Sequence, residues 1–533
     1  MQQFTEKYRE KIEGVLSGFD RVAIRGMLRR LYQGGYDKNL GAAVADGMET
    51  YLRMGKILFK DYEDHVKRIS EKLKAAILKP FREQGLPIEF DRGGSDKDKL
   101  ARQIAASKKI DSGLVCAIST IEPSPTFEHR GTHIIQRMRP CGALYQYQIH
   151  AELGWMYGRI QTWFPFNIQI GINGREWLAQ QMKREGMKYR QQGNCFVWIE
   201  DYDHAQKLLD RQLETNWSEL LNGFAQQLNP IREAVFEQYC CDYYWTVYQS
   251  EWATDIRFKD GEFLKRLMGT LVTHGMLSYQ SRDVLRFFGK RVNQSGEIPA
   301  RFNGELKTDL KSYREGERVK YTMDGNLAKF YDKAYSEYGN ILRAGETTIN
   351  KAKVFLAYRP KEGGPADDLK WRPMRKGIAD LHRRAEISQR TNERLINALA
   401  SVDDSRTVEE LTASIQKPVT WKGRRVRALH PWGEDKSLLT AVNHGDFLIN
   451  GFRNRDLQGL LYGKPPDSDA EKRRRSAAMS RKLRMLRAHG LIRKVPKTHR
   501  YMVVTEAQAV LIAVLTTART TVNQINQLGK KAA

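Results

Sequence analysis

The sequence predicts an α+β protein of several domains, with mixed and antiparallel sheets, accompanying helices and a small basic module at its C-terminal end. Three observations carry this. Through the first 400 residues, short runs rich in β-branched and aromatic side chains alternate with amphipathic stretches of helical spacing. Hydrophobic residues make up 41% of the chain and charged residues 29%, the balance of a folded globular protein rather than a disordered or fibrous one. A length of 533 residues is several times what one hydrophobic core ordinarily organises.

Taken in order, Phe19–Ile24 (FDRVAI) reads as a short strand. Lys60–Phe81 reads as a helix, because Val66, Ile69, Leu73 and Ile77 recur at i, i+3, i+4 steps. Pro87–Asp91 is strand-like, Lys97–Ser107 helical, and Leu114–Thr120 (LVCAIST) a buried strand. Tyr145, Tyr147 and Ile149 alternate with glutamines, as on a half-buried antiparallel strand, and WMYGRIQTW and FPFNIQIGI continue the sheet. Trp155, Tyr157, Trp163, Phe164 and Phe166 beside Arg159 could stack unpaired bases, but sheet core is the preferred reading. Asn173–Gly174 ends a strand and opens the helix Arg175–Glu185. Strand Cys195–Glu200 leads through an acidic helix start at Glu200, Asp201 and Asp203 into one long helix, Tyr202–Gln227, before Pro230. These elements define a first domain, 1–230.

A second, β-rich domain spans 231–400. Its elements are a long strand or bent pair at Tyr243–Phe258 and helices at Gly261–His274 and Ser281–Phe288. Strands follow at Glu305–Tyr313, Arg318–Lys333 (bent) and Ile341–Ile349, then a loop at Arg359–Gly377 and a long polar helix, Ile378–Ala400. Residues 401–436, with Pro418, Pro431 and the cluster KGRRVR, read as a basic linker, and 437–533 as the terminal module.

Composition also excludes. The longest uninterrupted apolar run, Ala509–Leu515, is seven residues, against the ~20 a spanning helix needs, so no membrane partner is expected. The opening MQQFTEKYREKIEG has no apolar h-region and predicts no secretory signal. The five cysteines, Cys116, Cys141, Cys195, Cys240 and Cys241, form no C-x-x-C pair, which argues against a disulfide framework or a zinc site and for a reduced, cytoplasmic setting. Without a Walker loop, a G-x-G-x-x-G or a G-x-S-x-G motif, no small-molecule cofactor is expected.

Charge is the strongest signal. The net charge is +26, from 89 Lys+Arg against 63 Asp+Glu. Residues 437–533 hold 18 Lys+Arg and 6 Asp+Glu, a net +12 in 97 residues, whereas the other 436 residues carry +14. The tail is nearly four times as basic per residue as the body. Such a surplus predicts a polyanionic partner, nucleic acid above all.

Within the tail, Leu438–Val442 is a first short helix, and Asn454 can cap a second, Arg455–Leu461. Ser468 and Glu471 form an S-x-x-E start to a third helix, which ends at Gly490. Leu491–Lys494 and Tyr501–Val504 form a hairpin with a basic tip, and Thr505 caps a last helix, Glu506–Ile525. This order of elements resembles winged helix-turn-helix domains, most closely those of MarR-type regulators. The resemblance implies that the third helix enters a major groove while the wing lies over phosphates. It points to Arg473, Arg474, Arg475, Arg481, Lys482, Arg484 and Arg487 on the helix, and Arg493, Lys494, Lys497 and Arg500 on the wing, as nucleic-acid contacts. DNA is favoured and structured RNA remains open. The whole chain also resembles bacterial proteins of the mobile-element type that carry such a module.

The central segments QSEWATDIRF (Gln249–Phe258), GELKTDLKSY (Gly304–Tyr313), KFYDK (Lys329–Lys333) and LRAGET (Leu342–Thr347) resemble, in order, the motifs of rolling-circle replication initiators of plasmids and phages. That resemblance implies strand nicking by a tyrosine, here Tyr331, with Lys333 on the phosphate and Mg²⁺ or Mn²⁺ held by Glu251, Asp255 and Glu346. The chain departs from the pattern in having no H-x-H pair among its 11 histidines.

Together these readings predict a bacterial, cytoplasmic protein that recognises a DNA site, or a structured RNA, in a mobile-element or replication-initiation context. A metal-dependent nicking enzyme, an RNA-binding component of a ribonucleoprotein and a MarR-like transcriptional regulator stand as alternatives.

Overall fold

An alternating strand that begins at Ile12 runs to Tyr32, well beyond the six-residue Phe19–Ile24 read from the sequence. Its length follows from the pattern: Leu16, Val22, Ile24 and Leu28 are buried while Arg21 and Arg25 are exposed. The computed structural model describes the chain except residues 33–34, 37–44, 291, 293–301, 303, 314–315, 334–339, 362–364, 366, 401–406, 444–446, 448–450, 497, 519–520 and 522–533.

The chain forms two compact units. The first comprises Gly14–Thr254 and Thr347–Gln389; the second comprises Met1–Glu13, Asp255–Glu346 and Arg390–Ala533. Boundaries at 230, 400 and 436 divide the sequence, whereas these units divide the contacts, and each unit gathers separated stretches of chain.

In the first unit the strands are β1 (Ile12–Tyr32), β2 (Gly35–Tyr36), β3 (Ile88–Asp91), β4 (Gly113–Arg130), β5 (His133–His150), β6 (Gly154–Gln161), β7 (Ile168–Asn173), β8 (Tyr189–Gln191), β9 (Phe196–Ile199) and β10 (Cys241–Phe258). They lie in the order β10-β1-β7-β6-β5-β4-β3, with β2 beside β1 and β8 paired with β9 apart. The neighbours from β1 to β4 pair antiparallel, while β3 runs parallel to β4, so the sheet is mixed. The helix Lys97–Lys108 makes the crossover that a parallel pair requires.

One face of this sheet is the core. Ile24, Leu144, Met156, Ile160, Ile168, Ile170 and Ile172 pack with Val66 and Leu73 of the helix Tyr62–Glu83 and with Leu221 and Phe224 of the helix Trp217–Leu228. Phe164 and Phe166 of the aromatic group belong to this core. On the other face, Ala101 and Ala105 of the crossover helix cover Cys116, Ile118, Tyr147 and Trp155.

The expected long helix Tyr202–Gln227 is two helices, Tyr202–Asp210 and Trp217–Leu228, separated by a 3₁₀ turn. The break is chemical: the Asn216 side chain accepts the Glu219 N–H and starts a new helix. Asp201 likewise accepts the His204 N–H at 2.9 Å, so the acidic cluster is a helix cap. The expected loop at Arg359–Gly377 contains a strand, Lys370–Pro373, paired with Leu356–Arg359.

In the second unit, β11 (Leu306–Tyr313), β12 (Gly316–Met323), β13 (Asn326–Asp332) and β14 (Ile341–Ile349) lie in that order and continue to the end of β10. The bent strand expected over Arg318–Lys333 is a β12–β13 hairpin. Asp324 (φ 47°) and Gly325 (φ 78°) form its two-residue turn, an Asp-Gly signal that reading through the apolar alternation overlooked.

The basic tail contains helices Lys436–Val442, Asn454–Tyr462 and Asp469–Ala488, a hairpin of Ile492–Lys494 with Tyr501–Val503, and a helix Thr505–Thr517. The expected end of the last helix at Ile525 lies outside the described residues. The stretch read as a linker also folds, with a helix at Val408–Ala413 and a hairpin of Val419–Trp421 with Arg424–Val426. Leu411, Ile415 and Leu429 share one core with Leu439, Leu457, Met479, Leu483, Leu486 and Leu511. Among the described residues, no helix is long and apolar enough to cross a membrane.

Gly174 shows how tightly the first unit closes. A Cβ there would lie 1.9 Å from the Phe19 carbonyl oxygen, where the Asn173 side chain caps the following helix. Gly174→Ala should therefore destabilise the first unit by about 3 kcal/mol, seen as a lower denaturant midpoint with unchanged slope.

Candidate nucleic-acid interface

Glu251 apart, the second unit holds both groups of residues that the sequence singles out, and they have opposite surroundings. The first group is buried. Arg343 on β14 is 1% exposed and grips Asp255 at the end of β10 with both arms, Nε to Oδ1 at 2.7 Å and Nη2 to Oδ2 at 3.0 Å. Its Nη1 donates to Glu346 Oε2 at 3.1 Å. Tyr331 on β13 donates its hydroxyl to the same oxygen at 2.6 Å, and Lys329 pairs with the other Glu346 oxygen at 2.5 Å. The Arg318 and Arg343 guanidinium groups lie 4.3 Å and 5.8 Å from the centre of the Tyr331 ring. Lys333 is 5% exposed. Glu251 lies in the first unit and accepts a hydrogen bond from Gln249 Nε2 at 3.0 Å.

This geometry can be tested against the nicking arrangement. Tyr331, Asp255 and Glu346 do come together. However, every carboxylate oxygen of Asp255 and Glu346 already meets a cationic side chain, and the Tyr331 phenol, 6% exposed, is turned into the protein. Among the described residues, no group of three or more His, Cys, Asp or Glu side chains is arranged to hold a metal. The carboxylates are arranged to hold guanidinium and ammonium groups and do not fit Mg²⁺ or Mn²⁺. Arg343, which the sequence reading treated only as a motif letter, is the organising residue.

Charge balance also sets the protonation of Glu346. Burial alone would push its pKa up; Arg343 and Lys329, with hydrogen bonds from Lys329 and Tyr331, outweigh this and hold it at about 2, below the ordinary 4.5.

The second group is exposed. Arg473, Arg474, Arg481 and Arg484 project from Asp469–Ala488 on the side away from Met479, Leu483 and Leu486. Arg493 and Lys494 are exposed on the hairpin. Arg473, Arg481, Arg484, Arg493 and Lys494 form no ion pair with any described carboxylate. Other expected contacts have structural partners. Arg475 donates to Glu471 Oε1 at 2.6 Å and to the Lys464 carbonyl at 2.7 Å, and lies over the Tyr462 ring. Arg487 lies 5.1 Å from the Trp421 ring centre, and Arg500 reaches the Gly451 carbonyl at 3.4 Å. Lys482 is half-buried, and Lys497 lies outside the described residues.

The folded tail adds residues that sequence spacing missed. A cleft of about 690 Å³ lies between Asn454–Tyr462, the first half of Asp469–Ala488 and the hairpin. Its lining includes Arg453, Arg455, Lys464, Lys472, Arg475 and His499, and contains no carboxylate. Asn454 is the first residue of its helix rather than the cap. The Asp456 carboxylate accepts the Arg453 N–H at 2.7 Å, which frees the Asn454 amide to donate to the Ser476 carbonyl and Ser480 Oγ, both at 3.0 Å. This bridge locks the two helices that wall the cleft. Ser468 accepts the Glu471 N–H at 3.2 Å, and Gly490, at φ 70°, ends the longer helix as expected.

Comparison of the chain with family models, curated proteins and solved structures finds no match.

Because the folded pKa of Glu346 lies below its unfolded value, its contribution to stability is present above about pH 4.5 and is lost as pH falls toward about 2. Denaturation followed between about pH 5 and pH 2 should show a steeper loss of stability in the wild type than in Glu346→Gln.

Proposed function

We propose that the chain is a nucleic-acid-binding protein whose C-terminal module is a winged helix-turn-helix, with Asp469–Ala488 as recognition helix and the Ile492–Val503 hairpin as wing. The observation that carries this reading is the cleft: six basic side chains line it, of which Arg455 and Arg475 pair with Asp456 and Glu471, and no carboxylate does, beside an exposed row of arginines without ion pairs among the described residues. Unpaired surface cations repel one another and persist where a polyanion supplies the missing charge. Arg473 and Arg474, near the start of the helix, suit contacts within a major groove, while Arg493 and Lys494 suit a neighbouring phosphate backbone. Duplex DNA fits a single protruding helix better than A-form RNA, whose deep major groove is too narrow for one. In this reading the protein recognises a site in the cytoplasm, in a mobile-element or replication-initiation context.

The nucleic acid retained by the purified full-length chain, trimmed by nuclease and sequenced, should contain one recurrent duplex site. A discrete folded transcript would instead place the partner among structured RNAs. Retention of neither at moderate ionic strength would overturn the proposal. Both Arg473 and Arg474 are exposed, so Arg473→Ala with Arg474→Ala should leave the melting temperature unchanged. It should weaken binding at least about tenfold and lower the slope of log affinity against log salt by about 2 in titrations across salt concentrations.

A further inference from the structure

The core-forming face of the first unit's sheet is covered by helices, and the crossover helix covers the β4–β6 part of the opposite face. The β10-β1-β7 part of that opposite face has a different composition. Arg21, Arg25 and Arg29 lie four residues apart along β1 and therefore share one side of it. Arg21 and Arg25 are exposed and Arg29 is half-buried. None of the three forms an ion pair with a described residue.

Two of these arginines are stacked. The Arg25 guanidinium sits 4.2 Å from the ring centre of Tyr248, and that of Arg29 sits 3.9 Å from the ring centre of Tyr244. Four residues forward on β1 correspond to four residues back on β10, so the stacks form a repeated row. Tyr248 is 42% exposed, so part of its ring is open to solvent beside Arg25. The row continues across the sheet: Ala23 pairs with Gly171, which pairs with Tyr157. A Cβ on Gly171 would lie 2.2 Å from Tyr157 Cε1, so the missing side chain lets the Tyr157 ring lie over β7.

We propose that this face is a second nucleic-acid site, which holds an unpaired strand. Stacking on tyrosine uses the flat side of a guanidinium and leaves its edge N–H groups directed outward, where they can donate to phosphate oxygens. The exposed Tyr248 ring at the same level, flanked by the half-buried Tyr244 and Tyr157, can stack on a base, which is available only when unpaired. Arg21 and Arg29 lie about 26 Å apart along the strand, a span that several nucleotides would cover. A generic polyanion site would need the arginines alone; the paired tyrosines point to bases as well as phosphates. The inference stands on the first unit and does not depend on the tail.

The test uses the full-length chain and fluorescence anisotropy with labelled oligo-dT and oligo-U of about 16 nucleotides, and a duplex of the same length. Tyr248→Ala and Arg25→Ala should each weaken single-strand binding at least about tenfold, and Tyr248→Phe should retain it because the ring suffices. Duplex binding should be the same in all three variants, whereas Arg473→Ala with Arg474→Ala should show the reverse pattern. Loss confined to oligo-U would make the ligand RNA, and loss confined to oligo-dT would make it DNA; both support the site. The proposal fails if the wild type binds neither single strand, if Arg25→Ala binds them as the wild type does, or if duplex binding falls in parallel. Arg25 is exposed, so that variant remains decisive even if Tyr248→Ala does not fold.

Discussion

A guanidinium taken out of water needs acceptors for its N–H groups, and in the second unit the carboxylates that meet this need for Arg343 organise the sheet. Arg343 is 1% exposed, and its partners come from two other places on the strands: Asp255 from β10 and Glu346 from β14 itself. Lys329 and Tyr331 on β13 complete the set. Removing Arg343, Asp255, Glu346 or Lys329 would leave a buried charge uncompensated, which is costly because burial weakens hydration without removing charge. The cluster therefore ties β10, β13 and β14 into one register.

The same side chain has the opposite role elsewhere. Arg473, Arg481 and Arg484 have no carboxylate partner among the described residues and remain in water. Arg25 and Arg29 rest on tyrosine rings, an arrangement that holds a guanidinium in place without neutralising it. Matched arginines in the interior support the fold, while unmatched arginines outside give it a surface suited to polyanions. An overall charge of +26 by itself does not distinguish these populations.

Local signals were legible where they act over a few residues. Ser468, Glu471 and Gly490 mark the ends of the basic helix, and Asn173 marks the start of another, because capping is settled by neighbouring backbone groups. Helical spacing also located Tyr62–Glu83. Reading failed where an apolar pattern continued through a break. Tyr202–Gln227 reads as one helix, although the Asn216 cap divides it. The Asp324–Gly325 turn was likewise hidden within alternating residues. The prolines near 418 and 431 suggested a linker, yet Leu411, Ile415 and Leu429 find partners only in the tail's core.

The amino-acid order by itself determined the mixed α and β character, the concentration of positive charge in the tail and the ends of its main helix, since composition and capping are local properties. Tertiary structure decided the ion pairs between residues far apart in the chain. Asp255 and Arg343 are 88 residues apart in sequence and meet only when β10 and β14 do. The cleft beside Asn454 and the Arg–Tyr row on β1 and β10 are also products of packing, because they join side chains whose separation along the chain carries no sign of their contact in space.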